Sequence, residues 1–335
     1  MINTLRKKNR KTLFTTPSHS QTFSIFSKLK QFYKYDISEL DCYDIEKSLR
    51  NAEVQAAKIY KTKSTHFLTN GSTSGIIAAV LTCVKPDDKV LIWKSAHRCH
   101  KNAVILAGAI PVFYELEKDE EWGIYKEFTV DKLQNDIKAV IVTSPSYYGI
   151  VSDIRAIKQA CPNAYIIVDE AHGALYPFGI MESAIYQGAD FVIQSLHKTA
   201  GGLNPTALLH NNSNLDASLA LDMITTTSPS YPILASIQQN IRFLNSQRGR
   251  KNIKLLLKNI DTLKKNIKTV DFLQTNDPTK VVIKKHGMTG YELSEFLYKN
   301  GIEDEKTNEK STMLLCGIGT DIRKLNRLEK VLKKL

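Results

Sequence analysis

The sequence lacks the features that mark disulfide-stapled, metal-binding, secreted or membrane-spanning proteins. Its five cysteines are scattered, and no two of them have Cys-x-x-Cys spacing. This excludes a disulfide framework and a zinc site, and it favours reduced thiols in the cytoplasm. No apolar run approaches the roughly 18 residues that a membrane span needs, and no apolar stretch follows the basic N-terminus. We therefore expect a cytoplasmic protein with no secretory signal, no metal and no membrane contact.

Two further absences argue against ATP hydrolysis and specific nucleic-acid binding. The Asp-Glu-Ala-His segment at residues 169–172 is similar to a helicase box, but the chain has no Gly-x4-Gly-Lys-Ser/Thr loop to hold the phosphates. The net charge is +12, yet the lysines are spread through helical stretches such as residues 251–268. There is no zinc finger, aromatic RNA-binding motif or recognition helix, so a solvated lysine face is the better interpretation.

The pattern of apolar residues predicts an α/β fold. Between residues 65 and 210, short β-branched runs alternate with helical stretches, which indicates a mostly parallel, doubly wound, seven-stranded sheet. The predicted strands are 65–69, 89–93, 110–114, 138–143, 165–168, 191–194 and 206–210. Residues 1–50 are predicted to form an N-terminal arm, 51–245 a large ligand-binding domain, and 246–335 a small α+β domain with a linking helix.

The second half of the chain carries more local predictions. Ser213 is expected to cap a short helix that ends at Leu221. One long helical tract is expected from Pro232 to about Lys268. The tail then predicts alternating strands and helices at 280–285, 290–299, 311–316 and 321–335.

The most informative pair of residues is Asp169 and Lys198. Each follows a short apolar run that predicts a buried strand, and strand carboxyl ends line the ligand crevice of a parallel sheet. A lone lysine or aspartate at such a place is usually a solvated or capping residue. Together they suit pyridoxal phosphate (PLP), because the lysine forms a Schiff base and the acid keeps the pyridinium nitrogen protonated. The lysine must lose its own proton first, which burial or a nearby cation favours.

Other polar residues near these strand ends are candidates to bind the phosphate of the cofactor. Ser72, Thr73 and Ser74 lie between a strand and a helix, where they form either a phosphate cup or an ordinary helix cap. Ser195 and His197 precede Lys198 and are candidate phosphate donors.

Two histidines near these strand ends also have more than one possible role. His97 either stacks on the pyridine ring or simply begins a helix. His172 either orients Asp169 or contacts the cofactor, or it is an ordinary core histidine.

Nearly the whole chain resembles the Orn/Lys/Arg decarboxylases, which are fold type I PLP enzymes of the aspartate aminotransferase-like fold. The motifs that carry the resemblance are at residues 36–40, 69–73, 90–92 with His97, 106–109, 168–174, 188–190, 194–199, 226–232, 277–280, 289–293 and 301–302. The combination of Asp-Glu-Ala-His with Ser-x-His-Lys is highly specific.

The resemblance implies roles for the matching residues. Lys198 would carry PLP, Asp169 would hold the pyridinium, His97 would stack on the ring, and Ser72, Thr73, Ser195 and His197 would hold the phosphate. Residues 227–231, with Ser228 and Ser230, would approach the active site of a neighbouring subunit in a homodimer with shared sites. The implied reaction is PLP-dependent decarboxylation of lysine, ornithine or arginine, a step of polyamine metabolism.

Two segments depart from the family pattern. The family's Pro-Gly-His-Lys-like motif is here Pro17-Ser18-His19-Ser20, and Asp41-Cys42-Tyr43-Asp44 lacks the expected glycine. Because the chain stops at Leu335, we expect a short form without the family's C-terminal domain.

Three acids are candidates to bind a basic substrate side chain: Asp36, Glu39 and Glu305. They either select the substrate or merely cap and solvate. An aminotransferase, another PLP lyase and a degenerate PLP-binding protein remain alternatives. The strand at 311–316 has no arginine to clamp a carboxylate, which mildly favours decarboxylation.

Overall fold

The computed structural model describes Met1, Asn3, Arg6, residues 35–37 and residues 42–335, with side chains from residue 47 onwards in the last range. Two β-sheets and a short hairpin organise these residues. We refer to residues 42–245 as the larger part and to residues 246–335 as the C-terminal part. The strands of the larger part, in chain order, are β1 Ser64–Leu68, β2 Lys89–Trp93, β3 Ile110–Tyr114, β4 Lys118–Asp119, β5 Ile124–Tyr125, β6 Ala139–Thr143, β7 Tyr165–Asp169, β8 Phe191–Ser195 and β9 Ala207–Asn211.

The large sheet has the order β1-β9-β8-β7-β6-β2-β3. Only β9 runs against the others, because it pairs antiparallel with both β1 and β8 while the pairs from β8 to β3 are parallel. The predicted mostly parallel, seven-stranded sheet is thus confirmed. The strands β2, β6, β7 and β8 end at the same edge, where open parallel sheets place their ligands.

Helices cover both faces of this sheet. Alternate residues of β6 show it: Val140 and Val142 belong to one apolar core, and Ala139 and Ile141 to the other. Two buried faces explain why the strand is apolar throughout. The α-helices of the larger part are Cys42–Tyr60, Ser72–Cys83, Arg98–Leu106, Ile154–Ala160, Leu196–Thr199, Ser218–Ile224 and Tyr231–Asn245.

A four-stranded antiparallel sheet organises the C-terminal part, in the order β10-β11-β13-β12. Its strands are β10 Asp271–Phe272, β11 Lys280–Lys284, β12 Lys306–Thr307 and β13 Thr312–Leu315, and its helices are Gln247–Asn266, Gly290–Lys299 and Ile322–Leu332. Leucines and isoleucines of the three helices form a separate core with β11 and β13. The helix from Gly290 begins with a capping box between Thr289 and Glu292.

The structure corrects two local predictions. The helical tract from Pro232 is two helices, because Ser246 adopts an extended conformation and its side chain caps the second helix by accepting from the Gly249 amide. Ser213 does not cap a helix. Its hydroxyl donates to Asn211, and the helix begins later, at Ser218.

The division into an arm, a large domain and a small domain stays a prediction at its boundaries, since the helix Cys42–Tyr60 runs through residue 50. In the described part of the chain, no helix is long and apolar enough to cross a bilayer.

Candidate active site

A cavity of about 720 Å³ opens at the carboxyl edge of the large sheet. The ends of β2, β6, β7 and β8 contribute to it, and the C-terminal part reaches it through residues 306–308. The predicted site residues that line it are Ser72, Thr73, His97, Asp169, His172, His197 and Lys198. The ends of these strands thus bring together side chains that are far apart in the sequence.

Lys198 lies in the short helix that directly follows β8. Burial lowers the pKa of its ammonium, and the positive charge of Lys280 adds to this effect, while Asp169 and Glu305 oppose it. A lysine that has to attack an aldehyde needs such a shift, because only the neutral amine is a nucleophile.

Asp169 ends β7 and is held from two sides. Its Oδ2 lies 2.9 Å from Nε2 of His100, and its Oδ1 accepts from the Ala171 amide at 3.2 Å. Burial acts to raise the pKa of Asp169, but His100, Lys198 and the Ala171 amide together lower it below the ordinary value. An aspartate that stays ionised in a buried place is suited to hold a cationic ring nitrogen.

His100, which is fully buried, was not among the predicted site residues. Its position three residues after His97, on the same side of a helix, was the one feature of the sequence that could have indicated a place near the site. Nothing in the sequence indicated which acid it would contact.

His97 caps the helix Arg98–Leu106, and its Nδ1 lies 2.9 Å from Sγ of Cys99. Burial lowers its pKa, with the charges of His100, Lys198 and Arg98 in the same direction and Asp169 opposed. The helix-start interpretation is therefore right for its backbone. Its ring still faces the cavity, so stacking on a cofactor stays a prediction.

His172 is buried against Tyr147, with 4.6 Å between ring centroids. Neither ring nitrogen has a hydrogen-bond partner among the described residues. Burial, and then the charge of Lys198 and other nearby cations, hold its pKa well below the usual range. A neutral imidazole with two free nitrogens at a cavity wall fits a site that receives a polar ligand.

Tyr147 was only part of a strand-end loop in the sequence interpretation. In the structure, Nζ of Lys198 lies 5.6 Å from its ring centroid and Nζ of Lys306 4.1 Å. Trp93 and Tyr125 form a second aromatic wall, with ring centroids 4.9 Å apart.

The loop that is predicted to hold a phosphate lies partly at the cavity, and its role stays a prediction. Gly71 has a φ of 82°, and Ser72 and Thr73 begin the next helix and line the cavity. Ser74 does not face the cavity, because its hydroxyl donates to the Gly71 carbonyl at 2.8 Å. Its prediction as a phosphate donor is thus not supported by its geometry.

Ser195 fits an anionic group on different grounds. Its hydroxyl is buried and has no hydrogen-bond partner among the described residues, and the same holds for Thr199. Nδ1 of His197 pairs with the Thr206 carbonyl at 3.0 Å, which leaves Nε2 for a ligand. Ser195 does not line the cavity itself, but its orphaned hydroxyl, three residues before Lys198, is a donor of the kind that a phosphate requires.

The other predicted residues lie away from the cavity wall or beyond the described chain. Asp36 is half-buried and Glu305 is exposed, and neither lines the cavity, although the charge of Glu305 raises the pKa of Lys198. Glu39, like the segment 17–20, lies outside the described residues. Ser228 is exposed and Ser230 precedes the helix Tyr231–Asn245 without a side-chain cap.

The family model described as Orn/Lys/Arg decarboxylase, major domain, matches residues 8–282. This chain belongs to that family. It is 29% identical to the uncharacterized protein YaaO of Bacillus subtilis (strain 168), over 91% of this chain and 71% of that protein. It is 28% identical to an arginine decarboxylase of Halalkalibacterium halodurans, over 86% of this chain and 64% of the relative.

Among solved structures, the constitutive lysine decarboxylase of Escherichia coli superposes with a TM-score of 0.86 at 20% identity, over 99% of this chain and 60% of that chain. The fold is the aspartate aminotransferase-like arrangement of fold type I PLP enzymes. The family prediction is confirmed. The chain spans only 60% of the length of this lysine decarboxylase and 64% of that of the arginine decarboxylase.

Proposed function

We propose that this chain decarboxylates a basic amino acid, lysine, ornithine or arginine, with PLP bonded to Lys198. The observation that carries the proposal is that Lys198 and Asp169 line one cavity at the ends of neighbouring strands. The pKa of Lys198 is lowered, which favours the neutral amine, and the pKa of Asp169 is lowered, which favours the carboxylate. The family membership and its decarboxylase relatives support the reaction class.

The residues present fit PLP. Lys198 would provide the amine that bonds to the aldehyde, and Asp169 would accept the hydrogen bond of the ring N–H. Ser72, Thr73 and Ser195 would donate to the phosphate, and His197 would help to hold it. PLP, when bound, supplies an electron-withdrawing ring that weakens the bonds at the substrate Cα. The protein decides which bond breaks by orienting the substrate.

Recognition of a basic side chain needs a partner of opposite charge or an aromatic face. In the described part of the chain, Asp169 is the only carboxylate that lines the cavity, and His100 already occupies one of its oxygens. We therefore propose that a selecting acid comes from Glu39, from movement of Asp36 or Glu305, or from a second subunit.

A substrate screen tests the reaction. Purified protein with added PLP is given lysine, ornithine, arginine and norleucine, while carbon dioxide and amine are measured; Lys198→Ala is the control. We expect carbon dioxide with at least one basic amino acid and much less with norleucine. Equal efficiency on norleucine would contradict the basic substrate. A keto acid without carbon dioxide would indicate an aminotransferase, and no turnover a PLP-binding protein.

We further propose a homodimer with shared sites, in which residues 227–231 of one subunit approach the other's cavity. The two serines of this segment make no contact with the cavity of their own subunit. Mixing inactive Lys198→Ala with an inactive Ser228→Ala/Ser230→Ala variant should restore part of the activity. A fully active monomer in solution would exclude this arrangement.

A further inference from the structure

His100 joins two elements that meet only in three dimensions. It lies in the helix Arg98–Leu106, and its ring reaches the end of β7, where Nε2 is 2.9 Å from Oδ2 of Asp169. The two side chains are 1% and 10% exposed. The His100 ring has few alternatives to this contact, because its burial leaves it no solvent with which to replace Asp169.

The two oxygens of Asp169 receive different donors. The Ala171 amide lies on the same loop and holds Oδ1. His100 is the donor that comes from another element, so it fixes the rotation of the carboxylate about its Cβ–Cγ bond. Nδ1 of His100 has no hydrogen-bond partner among the described residues. Among the described residues, Asp169 is therefore the only hydrogen-bond partner of this ring.

We propose that His100 is a positioning residue, which donates from Nε2 to Asp169 and presents the remaining lone pairs of the carboxylate to the ring nitrogen of PLP. The proposal rests on the proposed function, since it concerns the acid that would hold the cofactor. Without this donor, a buried carboxylate would keep a single hydrogen bond and its ionised form would be less favoured. The ring nitrogen would then hold its proton less tightly.

Two substitutions separate hydrogen bonding from packing. In His100→Gln, the side-chain nitrogen falls close to the position of Nε2 and can still donate. In His100→Leu, the apolar volume is retained and the donor is lost. Each variant and the wild type are loaded with PLP labelled with ¹⁵N in the ring. The ¹⁵N chemical shift is followed against pH, and the PLP dissociation constant is measured.

We expect His100→Leu to weaken PLP binding about tenfold, which corresponds to ~1.4 kcal/mol, and to release the ring proton at a lower pH than the wild type. His100→Gln should stay within about twofold on both measures. Wild-type behaviour of His100→Leu would overturn the proposal. Equal losses in both variants would also overturn it, because packing would then explain the effect. If the wild type itself binds no PLP at Lys198, the proposed function fails first, and that result is visible before either variant is compared.

Discussion

Replacing Asp169 with asparagine removes one charge from the site and little else. The amide oxygen can still accept from the Ala171 amide, as Oδ1 of the aspartate does. The amide nitrogen would face His100, which can carry its proton on Nδ1 instead, because Nδ1 has no hydrogen-bond partner among the described residues. We therefore expect the free energy of unfolding to change by no more than about 1 kcal/mol.

The effect on turnover should be much larger. An amide cannot stabilise a protonated ring nitrogen as a carboxylate does, and a buried ion pair broken on one side costs about 3–5 kcal/mol. At 1.36 kcal/mol for each factor of ten, this predicts a loss of at least about 100-fold in kcat. PLP should still bind through its phosphate and its bond to Lys198, although more weakly than in the wild type, because the carboxylate contact to its ring is lost.

The assay compares kcat, the PLP absorbance and denaturant unfolding of Asp169→Asn with those of Asp190→Asn. Asp190 is the matched control, because it lies just before β8 at the opposite edge of the same sheet, where it pairs with Lys158 at 2.9 Å. Its variant should keep kcat within about twofold. Near-normal turnover of Asp169→Asn would remove this residue from the cofactor role.

Two predictions concern stability away from the cavity. Burial raises the pKa of Glu53 to about 7, while its carboxylate accepts from the Phe67 amide. The folded state therefore binds this proton more tightly than the unfolded state, and the stability of the protein falls as pH rises from about 4.5 to 7. Glu53→Gln should raise the free energy of unfolding by about 1–3 kcal/mol at pH 8 and by little at pH 4. A gain independent of pH, by urea unfolding, would refute this cause. Lys280 is fully buried and pairs with Asp277, which also accepts from the Tyr176 hydroxyl. Lys280→Met should lower the free energy of unfolding by about 3–5 kcal/mol, because the charge of Asp277 is then left unpaired. Adding Asp277→Asn should recover part of that loss. Strict additivity of the two changes would show that the pair is not coupled.

The strands of the large sheet could be predicted because each carries its own local signal. Seven short β-branched runs separated by helical stretches gave their positions to within a residue or two, as for β2 at Lys89–Trp93. The direction of β9 could not be predicted. Its sequence, Ala-Leu-Leu-His-Asn, does not differ in kind from that of a parallel strand, and the direction depends on the short connection from Lys198 onwards.

The site was predictable where it depends on strand ends and not where it depends on packing. Asp169 and Lys198 both follow apolar strands, so a general rule about sheet edges was enough. His100 contacts Asp169 only because of how one helix lies on the sheet. Lys306 reaches Tyr147 from the C-terminal part, and no local pattern reports a contact at such separation. The orientation of Ser74 also depends on the local backbone, since its hydroxyl donates to the Gly71 carbonyl, and the sequence does not report this choice.

The central claim is that Lys198 is the lysine that bonds to PLP. The most direct test is to reduce the PLP-loaded protein with borohydride, digest it and locate the modified peptide by mass spectrometry. We expect the modification on Lys198, and we expect Lys198→Ala to lose both the modified peptide and the PLP absorbance. Modification of another lysine, such as Lys306 at the same cavity, with Lys198 unmodified, would show that Lys198 does not carry PLP.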